Sequence, residues 1–159
     1  MGSQEDWQRW FESHSGPLLL LARQWGASRS DAEDILQDAF VRFWKHRRRV
    51  NDPAAYLFRS VRNAACNLAR AQASRRKRQE IAAAPESVFA PVAEDGELRA
   101  AVETALGRLP VEQREVLVMK IWGGLTFQAI GAVLGVPANT AASRYRYALA
   151  ALRKDIKPG

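Results

Sequence analysis

The sequence predicts an all-α protein of two small helical domains joined by a flexible acidic linker. Three observations carry this prediction. Apolar residues recur at three- and four-residue spacing almost throughout, and no stretch shows the alternating β-branched pattern of a strand. Helix-starting residues (Ser28, Asp52-Pro53, Pro110, Thr126) and helix-stopping glycines (Gly26, Gly107, Gly123-Gly124, Gly135) punctuate that pattern. Charge, finally, is laid down in blocks. Residues 1–78 carry 15 Lys/Arg against 8 Asp/Glu, residues 79–97 carry 5 acids and no base, and residues 98–159 carry 9 bases against 4 acids. The expected organisation is therefore a domain over 1–78, a linker over 79–97 and a second domain over 98–159.

The elements follow in order. Trp7, Trp10, Phe11, Leu18, Leu21, Ala22 and Trp25 give a first helical segment its apolar face, with a break or bend expected at Gly16-Pro17 and an end at Gly26. Ser28 or Ser30 can cap a second helix, with Asp31 and Glu33 favourable in its first turn and Lys45, Arg47 and Arg48 favourable near its C-terminus. Its stripe is Ala32, Ile35, Leu36, Ala39, Phe40 and Phe43. Asp52-Pro53 starts a third helix with Asp as N-cap and Pro at the first helical position. That helix buries Leu57, Phe58, Val61, Ala65 and Leu68 and runs into the basic cluster 75–78. Beyond the linker, whose two prolines, glycine and acids favour little fixed structure, a fourth helix is expected at about 98–106. A fifth opens after Leu109-Pro110, with Val111, Val116, Leu117 and Met119 apolar.

Composition narrows the function classes. The 159-residue chain has a formal net charge of +7 and a pI of about 10.2, which favours polyanionic partners. Cys66 is the only cysteine, so no internal disulfide can form, consistent with a reducing cytoplasm. His14 and His46 are far apart and make no zinc pattern. The apolar run Leu18–Ala22 is far too short to span a bilayer, which takes roughly 20 residues. The polar start, with Glu5 and Asp6, does not resemble a signal peptide. No phosphate-cradling glycine loop, metal cluster or nucleophile–base arrangement argues for catalysis, so the expectation is a binding protein without cofactor or metal, not an enzyme.

Three segments carry the binding chemistry. The first, Leu125 to Lys154, reads as a short helix, a tight turn and a longer helix. Thr126 can cap the short helix, whose apolar positions are Phe127, Ile130 and Leu134. Small Ala129 and Gly131 permit close crossing, Gly135 stops the helix, and Val136-Pro137 begins the next. Ala141, Tyr145, Leu149 and Leu152 line one face of the long helix. Asn139, Ser143, Arg146 and Tyr147 lie on other faces, free to meet a groove or a phosphate. This is a helix-turn-helix layout, and an αα-hairpin with a solvated polar face is the alternative.

The second segment is the helix SDAEDILQDAFVRFWKH. It places Asp31, Asp34 and Asp38 at successive turns, with Gln37 alongside, away from the apolar stripe. An acidic face on a basic domain suits a basic protein surface, although a solvated face complementing the helix dipole has the same pattern. The third segment, on the third helix, sets Arg59, Arg62, Asn63, Asn67 and Arg70 between apolar positions, with Trp44, Tyr56 and Phe58 near. Cations attract phosphates, and aromatic and amide groups stack on or bond unpaired bases. The competing reading puts those arginines in solvent and the aromatics in the core.

The stretches AEDILQDAFVRFW, DPAAYLFRSVRNAACNLAR, LGRLPVEQREVLVMKIWGGLTFQAIGAVLGV and NTAASRYRYALAALR, in that order, resemble bacterial RNA polymerase sigma factors of the small, two-domain extracytoplasmic-function (ECF) class. The likeness covers about residues 8–78 and 98–155. It implies a sigma region 2-like bundle and a sigma region 4-like helix-turn-helix. Asp34, Gln37, Asp38 and Arg42 would bind the clamp helices of the polymerase β′ subunit. The segment Arg47 to Tyr56, including Arg48, Asn51 and Tyr56, with Arg59, Arg62, Asn63, Asn67 and Arg70 on the third helix, would open the −10 promoter element and capture a flipped base. The C-terminal domain would sit under the β flap. There Ala142, Ser143, Arg146 and Tyr147 would face −35 bases, with Asn139 and Thr140 near phosphates at the helix N-terminus.

Two positions depart from the family pattern. Ala142 stands where a basic residue is common, and it can touch a thymine methyl but cannot donate to guanine. Pro137 stands where a serine N-cap is common. The resemblance further implies a cytoplasmic initiation factor whose binding energy is spent on unstacking promoter bases, with core RNA polymerase, promoter DNA and an anti-sigma factor as partners and no membrane insertion. A stand-alone helix-turn-helix regulator, or a sigma-like protein that does not initiate, are the alternatives. A simple repressor needs neither the acidic helix nor the Arg/Asn helix.

Overall fold

The computed structural model describes residues 3–79, 101 and 104–156. Among these residues every regular element is helical. Helix α1 spans Gln4–Gln24, α2 Arg29–His46 and α3 Pro53–Gln79, with a short 3-10 turn at Arg47–Arg49 between the second and third. In the C-terminal half, α4 spans Val111–Leu117 and continues as a π-helical turn through Val118–Trp122. Helices α5 (Phe127–Leu134) and α6 (Ala138–Ile156) complete the chain. Most of the linker, 80–97, lies outside the described residues. So do 98–100, 102 and 103 of the expected fourth helix, of which residues 101 and 104–107 are helical.

The helix boundaries trace to single residues. The Ser3 hydroxyl accepts from the Asp6 amide at the start of α1, and Ser28 (not Ser30) accepts from Asp31 at the start of α2. The Asp52 carboxylate accepts from the Ala55 amide, and Thr126 accepts from Ala129. Each cap meets an amide donor that the first helical turn leaves without an intrahelical partner. Gly26 ends α1 at φ +91°, in the left-handed region open to glycine. At the other end of α2, the Arg47 guanidinium lies 3.9 Å over the Trp44 ring and donates to the Trp44 carbonyl at 2.6 Å. A cation thus sits where the helix dipole favours it.

The break or bend expected at Gly16-Pro17 is not a break: α1 runs through Pro17 uninterrupted. Proline costs that helix one backbone bond and crowds the carbonyl four residues earlier. Burial of the following turn offsets the loss, since Leu18, Leu21 and Ala22 are fully buried.

Helices α1, α2 and α3 pack on one another around Phe43, Leu57, Phe58 and Val61, all with no exposed surface. An aromatic cluster closes one end, with Phe11 on Phe40 at 4.0 Å and Trp7 edge-on to Phe43 at 5.2 Å. Helices α4, α5 and α6 form the second domain around Val116, Leu117, Met119, Ile130 and Ala141. The two domains do not stand apart. Their cores merge, with α1 against α4 and the π turn and with α3 against α5. Gly123 marks the closest approach. A Cβ there would lie 2.7 Å from the Met119 carbonyl oxygen and 2.9 Å from the Phe58 ring, so only glycine fits without a shift.

Candidate nucleic-acid interface

The helix-turn-helix forms as its residues dictate. Gly135 adopts φ +71° and turns the chain out of α5. The Val136 amide then donates back to the Gly131 carbonyl at 2.9 Å. Gly131 is indispensable to the crossing: a Cβ on it would meet the Val136 carbonyl oxygen at 2.6 Å and the Ala138 nitrogen at 3.3 Å. The Pro137 carbonyl accepts from the Thr140 and Ala141 amides at 3.0 and 3.2 Å, opening α6 without a side-chain acceptor. Phe127 and Tyr145 pack at 5.4 Å, and Ala141 and Ala148 are fully buried, which fixes the inner face of α6. Its other faces present exposed Asn139, Arg146 and Tyr147, with Thr140, Ala142 and Ser143 half-buried. Tyr147 is 68% exposed, a large aromatic on the outer surface of α6. Arg146 donates to the Ser143 hydroxyl at 3.2 Å, which sets these two side chains side by side.

Helix α2 exposes Asp34, Gln37, Asp38 and Arg42, while Ala32, Leu36, Ala39 and Phe43 on the opposite face are buried. Val41 is 47% exposed on the same outer side, so the polar face carries an apolar element. Asp31 is partly taken up by the fold, accepting from Gln72 at 3.5 Å.

The residues expected to handle the −10 strand divide into two groups. Arg48, Asn51, Asn63, Asn67 and Arg70 are exposed. Tyr56 is half-buried, its ring 5.9 Å from Phe43. Arg59, itself exposed, and the half-buried Arg62 reach the C-terminal domain. The Arg59 guanidinium donates to the Ala132 carbonyl on α5. Arg62 donates through Nε and Nη2 to the two Glu115 carboxylate oxygens at 3.1 and 3.4 Å, and its guanidinium lies 5.2 Å from the Trp25 ring centre.

Glu115 is fully buried, and it also accepts from the Trp25 indole N–H at 3.1 Å. Burial pushes its carboxyl above the ordinary carboxylate range, and the Arg62 and Trp25 bonds pull it back down. Arg114 beside it donates to the Gln24 carbonyl at 3.1 Å, its basicity lowered by burial. Glu115, Trp25 and Arg114 were invisible to sequence reasoning as a site. The only available signal was the charged pair within the run Val111–Leu117, which reads equally well as a solvated helix face.

Among the described residues no helix is long and apolar enough to cross a membrane, and no group of His, Cys, Asp and Glu could hold a metal ion.

Two family models match the chain, Sigma-70 region 2 over residues 10–75 and Sigma-70 region 4 over residues 99–152. A helical bundle with an acidic outer face, followed by a helix-turn-helix, thus defines a sigma-70-type protein. The chain is 30% identical to the RNA polymerase sigma-E factor of Streptomyces coelicolor, across 98% of its own length and 89% of that protein. It is 28% identical to the ECF RNA polymerase sigma factor SigL of Mycobacterium tuberculosis, across 92% of its length and 86% of the relative. In fold it is similar to the sigma factor RpoE solved in complex with the anti-sigma factor NepR from Bartonella quintana, with a TM-score of 0.78, 20% identity, and coverage of 96% of this chain and 98% of that one. The protein belongs to the extracytoplasmic-function RNA polymerase sigma factors and is a transcription-initiation factor.

Proposed function

We propose that residues 1–78 bind core polymerase and open the −10 element, that 98–159 read the −35 element, and that 79–97 tether the two. The observation that carries this reading is the pairing, on one chain, of an exposed acidic face (Asp34, Gln37, Asp38) with an exposed Asn/Arg/Tyr face on the second helix of a helix-turn-helix. Opposite charges suit opposite partners. The acidic face, with Arg42 at its end and Val41 on the same side, suits the clamp helices of the β′ subunit, and the C-terminal domain suits the β flap. Helix α6 suits the major groove, where an exposed α-helix fits and base edges differ in donors and acceptors. Arg48, Asn51, Tyr56, Arg59, Arg62, Asn63, Asn67 and Arg70 suit an unpaired strand, with cations for phosphates and a ring and amides for bases.

The chemistry of RNA synthesis belongs to the polymerase, and the protein acts as a non-enzymatic recognition subunit in the cytoplasm. An anti-sigma factor is its proposed regulatory partner, by likeness to the sigma factor solved with NepR. The test is run-off transcription with purified core polymerase on genomic template, which is expected to yield promoter-specific transcripts. Tight core binding without any such transcript would overturn the reading.

The −35 assignment has its own test. Arg146→Ala is expected to weaken −35 duplex binding by about 1–3 kcal/mol and to relax sequence preference at one base pair. Competition binding against single-base variants of the duplex reads this out. A change in salt slope alone would make Arg146 a phosphate contact.

A further inference from the structure

We propose that an aromatic groove between the start of α1 and the end of α2 is a second pocket for an unpaired DNA base, separate from the Arg47–Tyr56 loop. The groove has a volume of about 290 Å³ and is lined by Gln4, Trp7, Gln8, Phe11, Phe40 and Trp44. The inference rests on the assignment of that loop to the −10 strand, because the two sites adjoin.

The walls are flat rings. Trp7 and Phe11 come from α1, Phe40 and Trp44 from α2, and all four are half-buried, so none is sealed in the core. Phe11 and Phe40 meet at 4.0 Å, and Trp7 stands at 85° to Trp44 with centroids 6.3 Å apart. Open aromatic surface of this kind marks a binding site more often than a packing remnant. Rings stack on any base, because every base has a π-face. Two exposed amides, Gln4 and Gln8, stand at the rim. An amide both donates and accepts, as a base edge requires and an apolar peptide face does not.

The groove continues the −10 loop. Arg47, the first residue of that loop, lies 3.9 Å over the Trp44 ring. Phe43 bridges the two sites, its ring 5.2 Å from Trp7 and 5.9 Å from Tyr56. A strand held at Tyr56 is thus a few nucleotides from the groove. Charge sets its path. Glu5, Asp6 and Glu12 flank the groove on α1, with Glu12 accepting from the Gln8 amide at 3.4 Å, while Lys45, Arg47 and Arg48 flank it at the end of α2. The phosphates therefore run on the α2 side, and the base turns inward over the rings.

The test is an abasic scan with holoenzyme. Core polymerase carrying the full chain is bound to a mismatched-bubble template of a promoter found by run-off transcription, and single abasic sites are placed at successive positions of the non-template strand. Wild type, Tyr56→Ala and Gln4→Glu/Gln8→Glu are compared by competition binding. The paired glutamates are exposed and lie in the first two turns of α1, where the helix dipole favours acids, so the fold is expected to hold. Wild type is expected to show two sensitive positions, each losing about tenfold in affinity when the base is removed. Tyr56→Ala is expected to erase the penalty at one of them, and Gln4→Glu/Gln8→Glu at the other alone. Should circular dichroism show the glutamate pair unfolded, Trp44→Leu takes its place under the same criteria. A single sensitive position in wild type overturns the groove, as does a second penalty that the glutamate pair leaves unchanged or erases together with the first. If the Tyr56-dependent penalty persists in any of these cases, the −10 assignment stands without the groove. If no position depends on Tyr56, or no promoter-specific transcript exists, that assignment and the groove fall together.

Discussion

Asp34→Lys combined with Asp38→Lys is expected to leave the protein folded and to abolish its co-purification with core RNA polymerase. Both carboxylates are exposed on the outer face of α2, one turn apart, and the helix is anchored from the other side by Ala32, Leu36, Ala39 and Phe43. Its cap, Ser28 on the Asp31 amide, is untouched, and surface reversals away from packed features usually stay within about 0.5 kcal/mol in stability. Binding responds differently. Losing one partner of a hydrogen-bonded interfacial charge pair costs about 2–5 kcal/mol, so two reversals weaken binding on the order of a thousandfold. Thermal melts by circular dichroism, run beside pull-down with core polymerase, separate the two effects. Retention of the double variant on polymerase would remove this face as the interface.

Phe58→Ala is expected to cost about 3–5 kcal/mol of stability, the range for a fully buried phenylalanine. Phe58 has no exposed surface and lies where α3 meets the C-terminal domain, close under Gly123. Truncating it opens a cavity at the junction of the two cores, and the backbone crossing at Gly123 and Met119 limits collapse into the gap. Urea unfolding followed by circular dichroism measures the loss. A change below about 1 kcal/mol would mean that the two domains do not share this residue as a common anchor.

The fold was legible at almost every boundary whose signal is local. Ser28, Asp52 and Thr126 cap helices because a side-chain oxygen reaches an amide three residues on, a relation contained within four residues of sequence. Gly26 and Gly135 take positive φ for an equally local reason. Pro17 misled because its local cost is outweighed by burial of Leu18 and Leu21 against distant helices. The exposed faces of α2 and α6 were legible as well, since helical periodicity alone puts Asp34 and Asp38 opposite Leu36 and Phe43, and Arg146 away from Ala141 and Ala148.

By itself, then, the sequence determined the helices, their caps, the helix-turn-helix and the chemical character of each outward face, because these depend on neighbours within one or two turns. Only the tertiary structure decided what Arg59 and Arg62 do. Arg62 meets Glu115 across 53 residues and Arg59 meets Ala132 across 73. Partners that far apart depend on how two amphipathic bodies dock. Periodicity tells a side chain which way it faces, and docking alone tells it whether that direction holds solvent, DNA or the other half of the same chain.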